Sequence, residues 1–139
     1  MNISVVVIDD EVLVRKGILT CMDWQQYGIS IVGEAEDGRK GLELVRSLVP
    51  DIVLTDIRMP NMDGLEMTRI IRKEFPHIKI LILSVLEDFP YVQEALRLGV
   101  VDYMQKLLMR PEELLDALLK IKQLIQSDHA QHAYDQTYT

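Results

Sequence analysis

Residues 3–10, Ile-Ser-Val-Val-Val-Ile-Asp-Asp, decide the fold. A run this rich in β-branched residues, with no polar alternation, reads as a strand covered on both faces, as strands of a parallel sheet are. It ends abruptly in two acids followed by Glu11. Acids suit the start of a helix, where side-chain caps and the helix dipole favour them. The helix expected there reaches about Met22 and ends near Asp23-Trp24, before Tyr27-Gly28.

The same unit recurs four more times along the chain. Ile29 to Ala35 reads as a second strand, and Asp37-Gly38 opens a helix with Leu42, Val45, Leu48 and Val49 on one face, closed by Pro50. Asp51 to Asp56 is a third strand, again an apolar run ending in an acid. The turn-rich segment Met59-Pro60-Asn61-Met62-Asp63-Gly64 leads into a helix that faces Met67, Ile70 and Ile71 inward and stops by Phe75-Pro76. Ile78 to Ser84 reads as strand four. Asp88 caps a helix that takes Pro90 in its first turn and ends at Gly99. Val100 to Gln105 reads as strand five. A loop after Lys106 reaches Pro111, a favoured first helical residue, and the last helix runs to about Gln126. Strands alternating with helices imply right-handed crossovers and helices on both faces of the sheet. The expected fold class is therefore doubly wound α/β: a five-stranded parallel sheet of flavodoxin-like order 2-1-3-4-5 with five helices. The domain spans 1–126, and 127–139 reads as a polar tail or the start of a linker.

Composition narrows the function classes. The net charge of −7 argues against this segment gripping a nucleic acid, so any action on DNA would need an output domain elsewhere. The Met1 segment lacks a basic start, and the apolar runs fall short of the ~20 residues a membrane span needs. A cytoplasmic location is expected, with no membrane partner. Cys21, the single cysteine, cannot form an intrachain disulfide, which suits a reducing compartment. Its register with Val14, Ile18 and Met22 predicts a buried thiol.

In open α/β sheets, ligands bind beyond the carboxyl ends of the strands, near the point where strand order reverses. Strand one ends in Asp9 and Asp10, strand three in Asp56, strand four in Ser84 and strand five in Lys106. Three carboxylates meeting in one small volume should titrate together unless a cation joins them, and hard oxygen donors suit Mg²⁺ or Mn²⁺. A carboxylate beside a divalent ion, a hydroxyl and an ammonium suits phosphoryl transfer. One Asp oxygen attacks phosphorus, the metal and Lys106 neutralise phosphoryl oxygens, the hydroxyl hydrogen-bonds the product and the remaining acids hold the metal. Any one of these acids taken alone is as easily a helix cap or loop acid; five fitting positions together are not.

Val-Ile-Asp-Asp-Glu at 7–11, Pro-Asp-Ile-Val-Leu-Thr-Asp-Ile-Arg-Met-Pro at 50–60, Met-Asp-Gly at 62–64 and Leu-Gly-Val-Val-Asp-Tyr-Met-Gln-Lys at 98–106 strongly resemble bacterial two-component receiver domains. The resemblance covers about residues 2–126. It implies that Asp56 is the phosphoacceptor, taking its phosphoryl group from a sensor histidine kinase. It also implies that Asp10, Asp56 and the backbone carbonyl of Arg58 ligate Mg²⁺, with Asp9 acting through water. Ser84 and Lys106 would contact the phosphoryl oxygens, and Ser84 with Tyr103 would form the switch. Met22-Asp23-Trp24 and Val32 through Gly38 are similar to receivers attached to AraC-type helix-turn-helix output domains, which implies transcription regulation.

Two residues depart from the family pattern. Leu107 stands where proline usually follows the lysine, so the bond is expected to be trans with a shifted Lys106, or cis at a cost of about 2.5–4 kcal/mol. Val85 stands where a very small residue usually follows Ser84. Both favour an alternative, a receiver-fold interaction module with lost or weak switching. An aspartate-nucleophile phosphatase is the enzymatic alternative, but the general acid such enzymes carry two residues after the nucleophile is Arg58 here. No enzyme activity beyond self-phosphorylation and self-dephosphorylation is expected. Leu115 and Leu119 lie off the inward stripe of Leu114, Leu118, Ile121 and Ile125, consistent with a homodimer through the fourth helix, fifth strand and fifth helix, or with a broad core-facing stripe.

Overall fold

The structure is a computed structural model that describes residues 1–107 and 109–138. Five parallel strands, β1 (Ile3–Ile8), β2 (Ile29–Ala35), β3 (Ile52–Asp56), β4 (Lys79–Ser84) and β5 (Asp102–Gln105), form one sheet in the order 2-1-3-4-5. The helices are α1 (Val12–Thr20), α2 (Gly38–Leu48), α3 (Gly64–Glu74), α4 (Phe89–Leu98) and α5 (Pro111–Tyr138). The doubly wound fold class expected from the strand–helix alternation is the one found.

Side chains of β1 alternate between two cores, which is why the run at 3–8 carries apolar residues almost without interruption. Val6 and Ile8 join Leu42, Val45, Met67, Ile71 and Val92 on the side covered by α2, α3 and α4. Ile3, Val5 and Val7 join Ile18, Trp24, Leu114, Leu118, Ile121 and Ile125 on the side of α1 and α5. β3 and β4 behave likewise, so the central strands leave no apolar residue to solvent.

Local sequence explains most boundaries. Asp37 and Asp63 occupy the N-caps of α2 and α3, each accepting a 2.8 Å hydrogen bond, from Lys40 N and Glu66 N. Gly28 and Gly99 end helical turns at φ 72° and 99°, where a Cβ is strained. Pro111 opens α5.

Several expectations are corrected. Cys21 is exposed, because α1 stops at Thr20 and Cys21 is its C-cap; Val14 and Met22 are only half-buried, and a short 3₁₀ turn at Trp24–Tyr27 buries Trp24 in place of the thiol. Leu48 and Val49 are exposed at the end of α2, where Val49 turns left-handed. Strand β5 starts two residues later than its apolar run. Leu115 and Leu119 are half-buried against the α1/α5 core, so their stripe is broad and core-facing. Helix α5 passes Gln126 and continues to Tyr138, since Ser127 to Tyr138 contains no Pro or Gly to stop it. Thr139, the last residue of the expected tail, lies outside the described residues. Asp88 sits at the N-cap position of α4 but makes no capping hydrogen bond. Asp9 and Asp10 do not cap α1 either; Glu11 is the N-cap residue, without a side-chain cap.

The β3–α3 connection has one tight point. A Cβ added to Gly64 would lie 2.1 Å from the backbone oxygen of Asp56, and Gly64 N donates a 2.7 Å hydrogen bond to the Ile57 carbonyl. Alanine normally favours a helix over glycine by about 1 kcal/mol. Gly64→Ala should reverse that sign and destabilise the protein by roughly 1–3 kcal/mol, the usual cost of overpacking, because the opposing atom is backbone. Urea unfolding of the variant checks this.

Candidate functional site

Register places the site. β1 pairs with β3 through Ile8↔Thr55, so the residues just beyond, Asp9 and Asp56, are lateral neighbours at the carboxyl ends. β4 pairs with β5 through Ser84↔Gln105, and Lys106 N donates a 2.8 Å hydrogen bond to the Ser84 carbonyl. The order reversal between β1 and β3 opens the cleft into which Lys106 reaches from β5.

The Lys106 side chain is almost wholly buried, and its ammonium is held by three carboxylates. Nζ lies 2.9 Å from Asp9 Oδ2, 3.1 Å from Asp56 Oδ2 and 2.6 Å from Glu11 Oε1. It also donates a 3.2 Å hydrogen bond to Asp9 Oδ1, which accepts another from Glu11 N at 2.8 Å. Asp9 Oδ2 is a close ion-pair contact without hydrogen-bond geometry, so this buried oxygen remains short of a donor. Asp56 Oδ1 accepts from Ile57 N at 2.8 Å. Among the described residues no peptide bond is cis, so Lys106 reaches both aspartates with a trans bond to Leu107.

The electrostatics follow from burial. Desolvation pushes the Asp56 carboxyl up to about 6, helped by the neighbouring Asp9 charge and opposed by Lys106 and the Ile57 N–H. Asp9 is raised too, mainly by desolvation. Burial alone would lower Lys106, but the hydrogen bonds it donates to Glu11, Asp9 and Asp56 outweigh it and hold the ammonium charged. One cation thus faces three acids, with Asp10 exposed beside them.

That imbalance fits a divalent metal. Carboxylate oxygens of Asp9, Asp10 and Glu11 lie within 4.8 Å of one another, all are hard donors, and one buried oxygen lacks a hydrogen bond. Asp56 is joined to this group through Lys106.

The other predicted residues fall around this centre. Ser84 is buried at the end of β4, and none of the site's hydrogen bonds uses its hydroxyl. Val85 beside it is half-buried. Tyr103 lies opposite Ile82 in the register, with its side chain 38% exposed. The Arg58 side chain turns away from the carboxylates to Asp88, at 2.6 Å, and its guanidinium carbon sits 5.1 Å from the centre of the Tyr91 ring.

Sequence reasoning missed two partners. Glu11 makes the shortest contact to Lys106; its place directly after the acid pair is the only signal that pointed to it. Arg15 donates a 2.6 Å hydrogen bond to the Asp9 carbonyl and pairs with Glu34 at 2.8 Å, fixing the strand end from below. No local pattern announces a contact six residues apart across a strand end.

Comparison with known proteins bears on family and fold. The family model for the response regulator receiver domain matches residues 5–119. The response regulator GacA of Pseudomonas aeruginosa is 41% identical over 104 residues, 75% of this chain and 48% of that protein. The uncharacterized transcriptional regulatory protein YesN of Bacillus subtilis is 33% identical over 103 residues, 74% of this chain and 28% of that one. The chain therefore spans about half or less of the length of these curated relatives. Among solved structures, the REC domain of the response regulator AraT from Geobacillus stearothermophilus superposes with a TM-score of 0.86 at 33% identity, covering 93% of this chain and 99% of that one. A two-component transcriptional regulator AraC from Clostridium phytofermentans gives 0.80 at 28% identity, covering 94% and 99%.

The raised pKa of Asp56 has a measurable consequence. Between about pH 4 and 6 the folded state keeps a proton on Asp56 that the unfolded chain releases, so this group makes stability fall as pH rises through that window. In metal-free buffer, Asp56→Asn should be more stable than the parent by about 1–3 kcal/mol at pH 7.5, with little difference at pH 4. Urea midpoints at the two pH values give the comparison. A gap that fails to close at pH 4 would mean the carboxylate's ionisation is not its source.

Proposed function

The chain belongs to the response regulator receiver family, and from that premise we propose that it is a phosphorylation-controlled switch with Asp56 as acceptor. The observation that carries this reading is the buried Lys106 ammonium between Asp9 and Asp56, at 2.9 and 3.1 Å. Receiver domains of response regulators interact with histidine kinases and bind Mg²⁺ at an acidic pocket. Here Asp10, Asp56 and the Arg58 carbonyl would ligate the ion, with Asp9 holding it through water. When bound, the metal would supply charge neutralisation at the phosphoryl oxygens.

The chain's own groups do the rest. Although raised to about 6, Asp56 is mostly ionised at neutral pH, so a carboxylate oxygen is available as nucleophile. It attacks phosphorus, the P–N bond to the kinase's imidazole breaks, and the bonding pair stays with the imidazole. Lys106 shifts its donors from Asp56 toward the phosphoryl oxygens. The Ser84 hydroxyl, uncommitted at the strand end, turns to the new group, and the volume it leaves admits Tyr103 from its exposed position.

Arg58 stands where a phosphatase would need an acid and is committed to Asp88, so the domain turns over only its own acyl phosphate. The output is transcriptional, in keeping with relatives named as transcriptional regulators, and calls for a separate DNA-binding domain, since the −7 charge of this segment argues that it does not hold DNA itself. No helix among the described residues is long and apolar enough to cross a membrane, in keeping with a cytoplasmic regulator. Self-association through α4, β5 and α5 would use the exposed Leu96 and Tyr103, since Leu115 and Leu119 are already packed on the core.

The second reading, a phosphate-independent interaction module, draws on Val85 beside Ser84 and on Leu107, 82% exposed after the lysine. Intact mass after incubation with acetyl phosphate and Mg²⁺ separates the two. A working switch gains one phosphoryl group, about 80 Da, absent in Asp56→Asn. No gain in a folded protein that binds Mg²⁺ would favour the module.

A further inference from the structure

Arg58 and Asp88 pair across two loops with different duties. Arg58 lies two residues after Asp56, at the start of the β3–α3 connection. Asp88 closes the short 3₁₀ turn Leu86–Asp88 and stands at the head of α4. Three features distinguish the contact from surface decoration. Asp88 is only 2% exposed, and its buried Oδ1 accepts no hydrogen bond, so its compensation is the ion-pair contact with Arg58 Nε at 2.6 Å. It forgoes the capping bond that its position offers. Tyr91, in the first turn of α4, places its ring 5.1 Å beneath the same guanidinium. A buried carboxylate without a counterion is costly, so the guanidinium is held there although its side chain is 61% exposed.

We infer that Arg58, Asp88 and Tyr91 form a clasp through which the acceptor loop and the head of α4 move as one unit, making Asp88 a positioning residue for the Arg58 backbone. The part of this that concerns metal rests on the reading of the Arg58 carbonyl as a ligand. If that carbonyl faces the ion, the position of α4 and the affinity for Mg²⁺ are reciprocally linked, and each biases the other by the same factor. A restraint from α4 keeps the carbonyl aimed at the pocket; releasing it lets the loop and helix head fluctuate separately.

The sign of a charge effect separates the clasp from plain electrostatics. Removing a positive charge two residues from Asp56 should tighten Mg²⁺ binding if Arg58 acts only through its field. The clasp predicts the reverse. Arg58→Met leaves Asp88 without its counterion, so its folding is checked by urea unfolding beside the charge-free Asp88→Asn; in the folded variant Mg²⁺ binding measured by calorimetry should weaken about fivefold or more. Asp88→Asn should weaken it to a similar degree, and the double variant should be no worse than either alone, because the two residues act as one unit. Without metal, amide hydrogen exchange in segments 57–62 and 86–98 should be faster in Arg58→Met than in the parent. Unchanged exchange would overturn the clasp. Faster exchange with unchanged or tighter Mg²⁺ binding would overturn its coupling to the site. A parent protein that binds no Mg²⁺ would sink the metal reading and the coupling with it, while the exchange result would still judge the contact.

Discussion

Everything at the functional end of this domain depends on one ammonium group facing too many carboxylates. Lys106 contacts Asp9, Glu11 and Asp56 at once, and one ammonium cannot fully compensate three acids of which Asp9 and Asp56 are buried. The fold enforces the crowding. β1 and β3 are adjacent because the strand order reverses there, and their registers end together, so Asp9 and Asp56 cannot separate without breaking the sheet. The Lys106 backbone is tied to Ser84 across β4 and β5, which fixes the distance its side chain must span. The raised pKa values of Asp9 and Asp56 are the electrostatic trace of that constraint.

The fold was legible because its central strands are buried on both faces. A continuous apolar run ending in an acid identifies both the strand and the point where the chain leaves the sheet, and Val5 to Asp9 and Ile52 to Asp56 carry that signal without ambiguity. It fails where burial is one-sided. β5 is an edge strand with Asp102, Tyr103 and Gln105 exposed, and the apolar Val100 and Val101 before it belong to its approach. Cys21 was misplaced for a related reason. Helical periodicity extends the expected helix to about Met22, two residues past its end at Thr20, and the buried place goes to Trp24, whose indole N–H reaches the Ile18 carbonyl at 2.8 Å. Helix α5 outruns its apolar stripe, because propensity alone can carry a helix beyond the residues that dock it.

The site was legible at its strand ends and opaque in its side-chain pairings. Asp9, Asp56, Ser84 and Lys106 could be placed from topology alone, since each terminates or follows a strand. The partners of Glu11, Arg15 and Arg58 depend on rotamers and on loops whose path no periodicity reports. Asp88 shows the limit well. Its position predicts a cap, and the local rule is overridden by a guanidinium thirty residues earlier in the chain, a choice visible only once β3 and β4 lie side by side.

The two departures from the family pattern weigh differently once the geometry is considered. Leu107 raised the question whether Lys106 could be aimed without a cis bond, and the lysine meets both aspartates with a trans one, so the aiming problem is met by the side chain's own reach. Val85 is a different matter. It follows Ser84, whose hydroxyl makes none of the hydrogen bonds seen among the described residues of the site, it is half-buried, and its β-branch leaves few rotamers with which to yield space. A phosphoryl group on Asp56 brings charge that Lys106 can meet by shifting its donors, but volume must come from the wall of the cleft. The resting electrostatic conflict favours any ligand that brings in a cation, whereas the steric cost falls on the phosphoryl group alone. If the site works as proposed, metal binding and phosphorylation would draw on separate parts of the same cleft, the first on the acids at the ends of β1 and β3, the second on the space beside Ser84.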